Sequence, residues 1–457
     1  LNILGATYAS LKHYDDALKF YKKCISFDAN NIEVFNNIGI LYRDINQFEN
    51  SLKYFNKAIS LDDKVASTHN NLGTLYALTK NLDNAEKYFK NSIKLDSNFL
   101  DAYLNLGSLY FDKFDFDPAL YYFKKIIKKD ASYIFMNIVY EKMGLILKEK
   151  GDTEKAIDYL NKSLLIKENP AVYNNLGHLY FTLKSWHEAK QNFLKAFNLN
   201  SKKALYAYNI ACCEYELNNE KEAIIFLEKA IDLKPDYEQA THLLASLNGN
   251  NVEKAPSNYV EELFDNYAEN FENHLVKKLK YSTKRVKDVI LKYSNKKSFK
   301  SVLDLGCGTG LVGLEMKKIS KKLTGVDISK KMIDKARSKK IYNELVCKEL
   351  VSYLKDNRLN HDLVIASDVL TYFGKCDEIF NLIKINNNCK NTFFAFTTEH
   401  TEEQNYILDT SGRFKHSYEY IENLCSVYNF ELKYFEKNIL RENKNEPVEG
   451  GLYFIKC

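Results

Sequence analysis

The sequence lacks the patterns of metal sites, disulfide frameworks and membrane spans. Nine cysteines are scattered through 457 residues, and no Cys-x-x-Cys pair or Cys/His spacing predicts a zinc site. The odd number of cysteines does not suggest a disulfide framework, so a reducing compartment, the cytoplasm, is expected. No apolar run reaches the ~18 residues that would suggest a membrane span. We therefore expect neither a metal ion nor a membrane as a partner.

The sequence also lacks a strong excess of charge of one sign. It has 65 Lys and Arg residues against 60 Asp and Glu residues, a net charge of +5. No block of Lys and Arg is dense enough to follow a phosphate backbone, so nucleic acid is not expected as a partner. The length allows two or three domains. Because the sequence begins at Leu1 within a helical pattern, an upstream segment is expected.

The first half of the chain repeats with a period close to 34 residues. Each copy carries a glycine or alanine, a small residue twelve positions later and a large apolar residue four positions after that. The recurring first position is occupied by Gly5, Gly39, Gly73, Gly107, Gly144, Gly177 and Ala211. Small residues let two antiparallel helices approach closely, and large residues fill the space between helix pairs. This pattern resembles the tetratricopeptide repeat.

The resemblance implies an α-solenoid of seven helix pairs. The pairs cover roughly residues 1 to 237, and residues 239–247 are predicted to form a capping helix. Three extra residues before Gly144 predict a longer turn around residues 131–133. The segment 248–251 and the following Pro256 predict a short hinge.

After the hinge, the pattern changes to alternating strands and helices. Strands are predicted near residues 302–305, 322–326, 344–347, 362–366, 392–398, 430–436 and 450–456. This alternation predicts an open, mostly parallel α/β sheet of seven strands with helices on both faces.

The first predicted strand ends in a glycine-rich turn. It carries Asp304 and continues as Gly306-Cys307-Gly308-Thr309-Gly310, and Asp327 ends the next strand. Such a turn can wrap a nucleoside-bearing cofactor, and the second acid is placed to accept hydrogen bonds from a ribose diol. A dinucleotide site is one alternative, but position 311 is Leu where that fingerprint has its third glycine. A turn with only a packing role is the other alternative.

The turn resembles motif I of class I S-adenosylmethionine-dependent methyltransferases, which have a Rossmann-like fold. The resemblance implies that Asp304 orders the loop and the methionine moiety, Asp327 holds the ribose hydroxyls, and Ile328 packs near the adenine. Glu349 would accept from the adenine amino group, although the family more often has Asp there. The full cofactor-binding set implied is Asp304, Gly306, Cys307, Gly308, Gly310, Asp327, Ile328, Glu349, Leu350, Ser367 and Tyr267.

The resemblance extends beyond the cofactor motifs. The segments 255–275, 412–417 and 440–450 are similar to a bacterial group of tetratricopeptide-containing methyltransferases, a group with no single settled substrate. With the repeats, the resemblance spans the whole chain. It divides the chain into repeats at 1–248, a linker at 249–256 and a methyltransferase domain at 257–457.

The loop after the fourth strand, residues 367–373, bears on the methyl acceptor. It lacks the Asn/Asp-Pro-Pro-aromatic signature of adenine and glutamine-amide methylation, and no Pro-Cys pair indicates cytosine-C5 chemistry. The ionisable residues expected near the reacting methyl are Asp368, Tyr372, His274 and His416. For His416 a structural role is the alternative. Arg413 and Arg441 would hold an acceptor carboxylate or phosphate through a bidentate contact. The alternative is a surface arginine that pairs with a nearby glutamate.

Five of the seven repeats carry an asparagine two positions before the recurring small residue: Asn37, Asn71, Asn105, Asn175 and Asn209. Asparagine is a mediocre helix former, so its recurrence in phase needs a reason. In some tetratricopeptide proteins that transfer sugars to proteins, a similar ladder grips an extended peptide backbone. The alternative is that these side chains bond within or between adjacent helices. Ile3 and Lys142 interrupt the ladder.

The leading hypothesis is a methyltransferase that uses S-adenosylmethionine to methylate oxygen or nitrogen on a polypeptide recruited by the repeats. One alternative is a small-molecule acceptor, with the repeats used for assembly. Another is an interaction scaffold whose cofactor-binding domain is inactive.

Overall fold

A computed structural model describes residues 1–268, 271–272, 283–389, 391–403, 405–443 and 446–457. Contacts divide the chain into two compact units, Leu1–Ser201 and Lys202–Cys457. This division falls within the repeats, and the predicted linker, 249–256, lies inside the second unit. Among the described helices, none combines the length and the apolar character that a membrane crossing requires.

The first unit consists of six antiparallel helix pairs. Its helices are α1 (Asn2–Ser10), α2 (Tyr14–Phe27), α3 (Ile32–Asp44), α4 (Phe48–Leu61), α5 (Ala66–Leu78), α6 (Leu82–Leu95), α7 (Leu100–Asp112), α8 (Phe116–Lys129), α9 (Met136–Glu149), α10 (Thr153–Ile166), α11 (Pro170–Thr182) and α12 (Trp186–Leu199). The predicted longer turn is confirmed, because six residues separate α8 from α9 where four separate α6 from α7.

The recurring glycines bring the two helices of each pair together. A Cβ added at Gly39 would lie 2.5 Å from Cε1 of Phe55, and one added at Gly73 would lie 2.6 Å from Cδ1 of Phe89. In both pairs the ring belongs to the large residue sixteen positions after the glycine. The sequence pattern of small and large residues therefore corresponds to direct packing of a ring against the helix backbone.

The second unit begins with the seventh helix pair, α13 (Ala204–Glu216) and α14 (Glu220–Leu233), and the predicted capping helix, α15 (Glu238–Leu247). The α/β domain follows. Its helices are α16 (Ser257–Tyr267), α17 (Thr283–Ser294), α18 (Leu311–Met316), α19 (Lys330–Ser338), α20 (Leu350–Asp356), α21 (Asp377–Asn386) and α22 (Tyr418–Val427). Its strands are β1 (Phe299–Leu305), β2 (Ser320–Asp327), β3 (Glu344–Cys347), β4 (Leu363–Ala366), β5 (Phe393–His400), β6 (Tyr406–Leu408), β7 (Phe414–His416), β8 (Glu431–Asn443) and β9 (Glu446–Lys456).

The main sheet has the order β3-β2-β1-β4-β5-β9-β8. Strands β1 to β5 pair in parallel, and β9 pairs antiparallel with β5 and with β8. Successive residues of β1 face opposite cores, because Val302 packs in one hydrophobic cluster and Leu303 in the other. The seven predicted strands and the mostly parallel sheet are confirmed.

Two short strands were not predicted. Strand β7 pairs in parallel with the last two residues of β5, and β6 pairs antiparallel with β7. Together β6 and β7 form a hairpin beside the carboxyl end of β5. In open α/β sheets ligands bind outside the carboxyl ends of the strands, so the hairpin stands next to the expected site.

Candidate active site

A cavity lies at the carboxyl ends of β1, β2 and β4 and has a volume of about 1000 Å³, including the part open to solvent. Eight predicted cofactor-binding residues line it: Gly306, Cys307, Gly308, Asp327, Ile328, Glu349, Leu350 and Ser367. The other three, Asp304, Gly310 and Tyr267, lie outside the wall that the described residues form. The linker and α16 also contribute to the wall through Lys254, Val260 and Phe264.

The glycine turn between β1 and α18 forms one side of the cavity with its backbone. Gly306, Gly308 and Gly310 have φ angles of +67°, +52° and +88°, a region that side chains disfavour. A Cβ at Gly306 would also overlap Cγ2 of Val369, in the loop after β4. The sequence therefore needs glycine here both for the backbone angle and for close approach of the two loops.

Asp327 closes β2 directly beside this turn. Its Oδ2 accepts a hydrogen bond from the Gly308 N–H at 2.8 Å, and its Oδ1 accepts from the Ser329 N–H at 2.9 Å. Burial raises the pKa of this carboxyl to about 6. A carboxylate held by two backbone donors, and still part of the cavity wall, is suited to accept hydrogen bonds from a diol.

Asp304 lies behind the turn. It is buried, and its Oδ2 accepts a hydrogen bond from the Tyr342 hydroxyl at 2.7 Å. Burial raises its pKa to about 7. The Tyr342 ring lies where a Cβ at Gly313 or Gly325 would stand. A Cβ at Gly310 would lie 3.0 Å from the Tyr342 ring, so Asp304 supports the turn through this tyrosine.

Tyr342 was missed by the sequence reasoning. The available signal was the pair of glycines inside regular elements, Gly313 in α18 and Gly325 in β2, where glycine weakens a helix or a strand. Both make room for this one ring. Its position in the loop before β3 gives no local pattern of its own.

Glu349 lies at the start of α20 and caps that helix, since its Oε2 accepts from the Ser352 N–H at 2.7 Å. The neighbouring Lys348 donates to Asp356 at 2.5 Å. Lys348 therefore pairs with a carboxylate at the end of α20 and not with Glu349.

Helix α16 forms a further part of the cavity wall. Val260 and Phe264 of this helix, with Phe271, supply apolar wall. Asp265 fixes the helix to the end of β2, because its Oδ1 accepts from the Ser329 hydroxyl at 2.5 Å. Tyr267 packs edge-on against Phe271, with ring centroids 6.1 Å apart, and so supports the wall from outside.

Asp368 and Tyr372 both line the cavity at the loop after β4. Arg413, the residue before β7, holds them side by side. Its guanidinium donates to the Tyr372 hydroxyl at 2.8 Å and also to the Asp368 carboxylate. Asp368 has a φ of +59°, a backbone strain that is common at functional sites.

Arg413 makes further hydrogen bonds within the protein. It donates to Glu399 at 2.6 Å and to the Thr371 hydroxyl at 2.9 Å. With the two contacts above, four hydrogen bonds engage a group that has five N–H donors. Of the two predicted roles for Arg413, the structure shows the ion pair with a glutamate, but the pair is not at the surface, because the side chains are 11% and 2% exposed. Glu399 and Thr371 were missed because only the fold brings them near residue 413.

His416 does not line the cavity. It is fully buried, and its Nε2 lies 2.8 Å from the Phe373 carbonyl oxygen and 3.1 Å from that of Gly374. Two acceptors require an N–H at this atom, and burial lowers the pKa of the ring to about 4. This placement corresponds to the structural role. The candidate His274 and the side chain of Arg441 lie outside the described residues.

Family models match both parts of the chain. A tetratricopeptide repeat model matches residues 1–31, 32–65, 66–99, 139–170, 170–203 and 204–237, and a second such model matches 101–132. A methyltransferase domain model matches residues 296–443. The chain joins tetratricopeptide repeats to a methyltransferase domain.

Individual similar proteins match the chain only in part. Anaphase-promoting complex subunit 7 of Dictyostelium discoideum is 31% identical over 106 residues, which are 23% of this chain and 18% of that protein. YrrB, a tetratricopeptide protein described as having an unusual peptide-binding site, is 23% identical, with a TM-score of 0.37, over 41% of this chain and 96% of its own. PilF of Pseudomonas aeruginosa is 17% identical, with a TM-score of 0.43, over 47% of this chain and 96% of its own. No functional conclusion follows from these likenesses.

The methyltransferase model begins at residue 296, after the linker and α16. Those two segments nevertheless supply Lys254, Ala255, Ser257, Val260 and Phe264 to the wall of the cavity. The cavity of the methyltransferase domain is therefore completed by residues that connect it to the repeats.

Proposed function

We propose that this protein transfers the methyl group of S-adenosylmethionine to an oxygen or nitrogen of a polypeptide that its repeats recruit. The observation that carries the proposal is the Asp327 carboxylate, buried beside the glycine turn and exposed to the cavity. A glycine turn with an acid at the end of the next strand is the arrangement that binds nucleoside cofactors.

The residues of the cavity fit this cofactor. Asp327 offers acceptors to the ribose hydroxyls, Ile328 and Leu350 offer apolar surface to the adenine, and Glu349 offers an acceptor to its amino group. At Gly308 the φ of +52° disfavours a side chain, and the glycine leaves backbone alone on this side of the cavity wall. S-adenosylmethionine supplies an electrophilic methyl group on a sulfonium.

The protein's own residues then position the acceptor and exclude water. Phe264, Phe271 and Tyr372 place aromatic surface near the expected methyl end of the cavity. Asp368, held by Arg413, is the carboxylate best placed to accept a hydrogen bond from an O–H or N–H nucleophile. A base is needed only when the nucleophile must lose a proton.

We further propose that the asparagine ladder captures the polypeptide. Asn71 donates to Asn36 at 3.0 Å, and Asn105 donates to Asn70 at 2.9 Å, so each carboxamide is held by the preceding repeat. Asn37 is held by Asn2 in the same way. Each such bond uses one N–H of the carboxamide, whose oxygen and second N–H are the groups that would bind a peptide backbone. Because these side chains are already held in place, they lose less conformational entropy when they bind a peptide.

The same hydrogen bonds also support the alternative, in which the ladder is structural and the acceptor is a small molecule. A labelling experiment distinguishes the two. The protein is incubated with S-adenosylmethionine carrying a tritiated methyl group and with a cell extract, and the products are separated by size and by protease sensitivity. Label in a protease-sensitive polypeptide supports the proposal, whereas label confined to small molecules contradicts the polypeptide acceptor.

In that assay the double variant Asn71→Ala with Asn105→Ala is expected to lower transfer to polypeptide about tenfold or more. The matched control is Asn36→Ala with Asn70→Ala, which breaks the same two inter-repeat hydrogen bonds but keeps the ladder residues. Both pairs should lose similar stability, about 0.5–1.5 kcal/mol per hydrogen bond. Equal transfer by the two variants would show that the ladder is structural.

The affinity for S-adenosylhomocysteine is expected to depend on pH through Asp327. Because burial raises the pKa of this carboxyl to about 6, it is ionised above that pH and protonated below it. Ribose hydroxyls donate to the ionised form, so the affinity should be constant above about pH 6 and fall as the pH drops below it. Calorimetric titration at several pH values measures this, and Asp327→Asn should lose the dependence. If the affinity of Asp327→Asn still fell below about pH 6, the pH dependence would have to come from another group.

A further inference from the structure

The turn between β6 and β7 is held from the repeat side of the second unit. The Tyr215 hydroxyl of α13 donates to the Thr410 carbonyl oxygen at 3.0 Å. Nε2 of His242, on the capping helix α15, lies 3.0 Å from the Gly412 carbonyl oxygen. A carbonyl only accepts, so His242 donates this bond from an N–H at Nε2. The seventh repeat and its cap thus fix two successive parts of one turn.

His242 is buried between two aromatic rings. Its ring centroid lies 5.4 Å from that of Tyr259 and 6.1 Å from that of Phe414. Gly412 has a φ of +76°, and a Cβ there would lie 3.2 Å from the Tyr259 hydroxyl oxygen. The histidine and the peptide unit that it contacts therefore have little room to shift.

The Gly412 carbonyl belongs to the same planar peptide unit as the N–H of Arg413. The hydrogen bond from His242 therefore fixes the point at which the Arg413 side chain leaves the backbone. From there the guanidinium reaches Asp368, Tyr372 and Glu399. Two hydrogen bonds, His242 to Gly412 and Arg413 to Asp368, connect the capping helix to the cavity wall.

The linker is hydrogen-bonded to the loop after β4 and to strand β6. The Ala255 N–H donates to the Tyr372 carbonyl oxygen at 2.9 Å, and the Glu253 carbonyl oxygen accepts from the Gly374 N–H at 2.9 Å. The Asn251 carboxamide accepts from the Leu408 N–H at 2.7 Å and donates to the Tyr406 carbonyl oxygen at 3.0 Å. The expected hinge is therefore pinned along β6 and the loop after β4.

We propose that the capping helix is part of the active-site framework and that His242 is a positioning residue, which holds Arg413 and through it Asp368 and Tyr372 at the cavity. A role for His242 in catalysis rests on the proposed function, whereas its role in holding Arg413 does not. The alternative is that His242 only attaches the capping helix to the hairpin.

Hydrogen–deuterium exchange of the full chain without cofactor distinguishes these roles. The useful reporters are the amide of Asp368, which donates to the Thr397 hydroxyl, and the amide of Phe373, which donates to the Leu370 carbonyl. His242→Ala is expected to speed exchange in segments 366–374 and 406–416 about 2- to 10-fold, the effect of losing one hydrogen bond. His242→Gln, whose amide can reach the same carbonyl, should restore the slow exchange.

Two further variants distinguish a local effect of His242 from a general loss of stability. His242→Asn keeps a polar side chain but is too short to reach Gly412, so it should behave like His242→Ala. Tyr215→Phe removes the bond to Thr410 and should speed exchange in 406–416 alone. Faster exchange confined to 406–416 in the His242 variants, or failure of His242→Gln to restore it, would overturn the proposal. Failure of cofactor binding in a separate titration would leave this result unchanged and count only against the proposed function.

Discussion

Replacing Asp327 with alanine is expected to weaken the binding of S-adenosylhomocysteine by about 10- to 150-fold for each ribose hydrogen bond that is lost. Each hydrogen bond to a charged group contributes about 1.5–3 kcal/mol, and about 1.4 kcal/mol corresponds to a factor of ten in affinity. The variant removes the acceptors offered to the ribose and also the bond to the Gly308 N–H that holds the glycine turn. Calorimetric titration measures the dissociation constant directly.

The matched control is Asp334→Ala. Asp334 lies on α19, seven residues further along, and its carboxylate pairs with Arg337 on the exposed side of that helix. This variant should bind as the wild type does. Unchanged affinity in Asp327→Ala would defeat the assignment of the cavity, because the acid would then have no part in holding a nucleoside.

Replacing Arg413 with alanine is expected to destabilise the second unit by about 3–5 kcal/mol, the effect of leaving a buried carboxylate without its counter-charge. Glu399 is 2% exposed and Asp368 is 18% exposed at the side chain, so neither would be well solvated in the variant. Differential scanning calorimetry of the full chain should show this loss as a lower transition temperature.

Arg285→Ala is the matched control, since Arg285 also donates two hydrogen bonds to carboxylate oxygens, in its case both of Glu436, but at the surface. Exposed pairs contribute little to stability, so this variant should melt almost as the wild type does. Combining Arg413→Ala with Glu399→Gln should recover part of the loss, because it removes one uncompensated charge. Equal melting of Arg413→Ala and the wild type would contradict the described network.

The repeats and the glycine turn could be predicted because each carries its cause in local sequence. Gly39 and Phe55 recur sixteen positions apart in successive copies, since one packs on the other. The turn has positive φ angles at Gly306 and Gly308. Glycine adopts such angles readily, so a run of alternating glycines in the sequence predicts a turn of this kind. The position of Asp327 could also be predicted, because it ends the next parallel strand and the carboxyl ends of parallel strands lie at the same edge of the sheet.

The part of the candidate site formed by β6, β7 and the partners of Arg413 could not be predicted in the same way. Strands β6 and β7 have three residues each, too short for a period-2 pattern to be recognised. His416 was a candidate base because it is ionisable, yet pairing of β7 with the end of β5 places it inside the protein. The partners of Arg413 lie between 14 and 45 residues away in sequence, and only the fold assembles them.

The most direct test is a calorimetric titration of the wild-type full chain with S-adenosylhomocysteine. Micromolar binding at one site per chain is the expected result, and it would establish that the cavity beside Asp327 holds the cofactor. The absence of binding to a folded protein would contradict a working methyltransferase and would leave the repeats as the functional part of the chain.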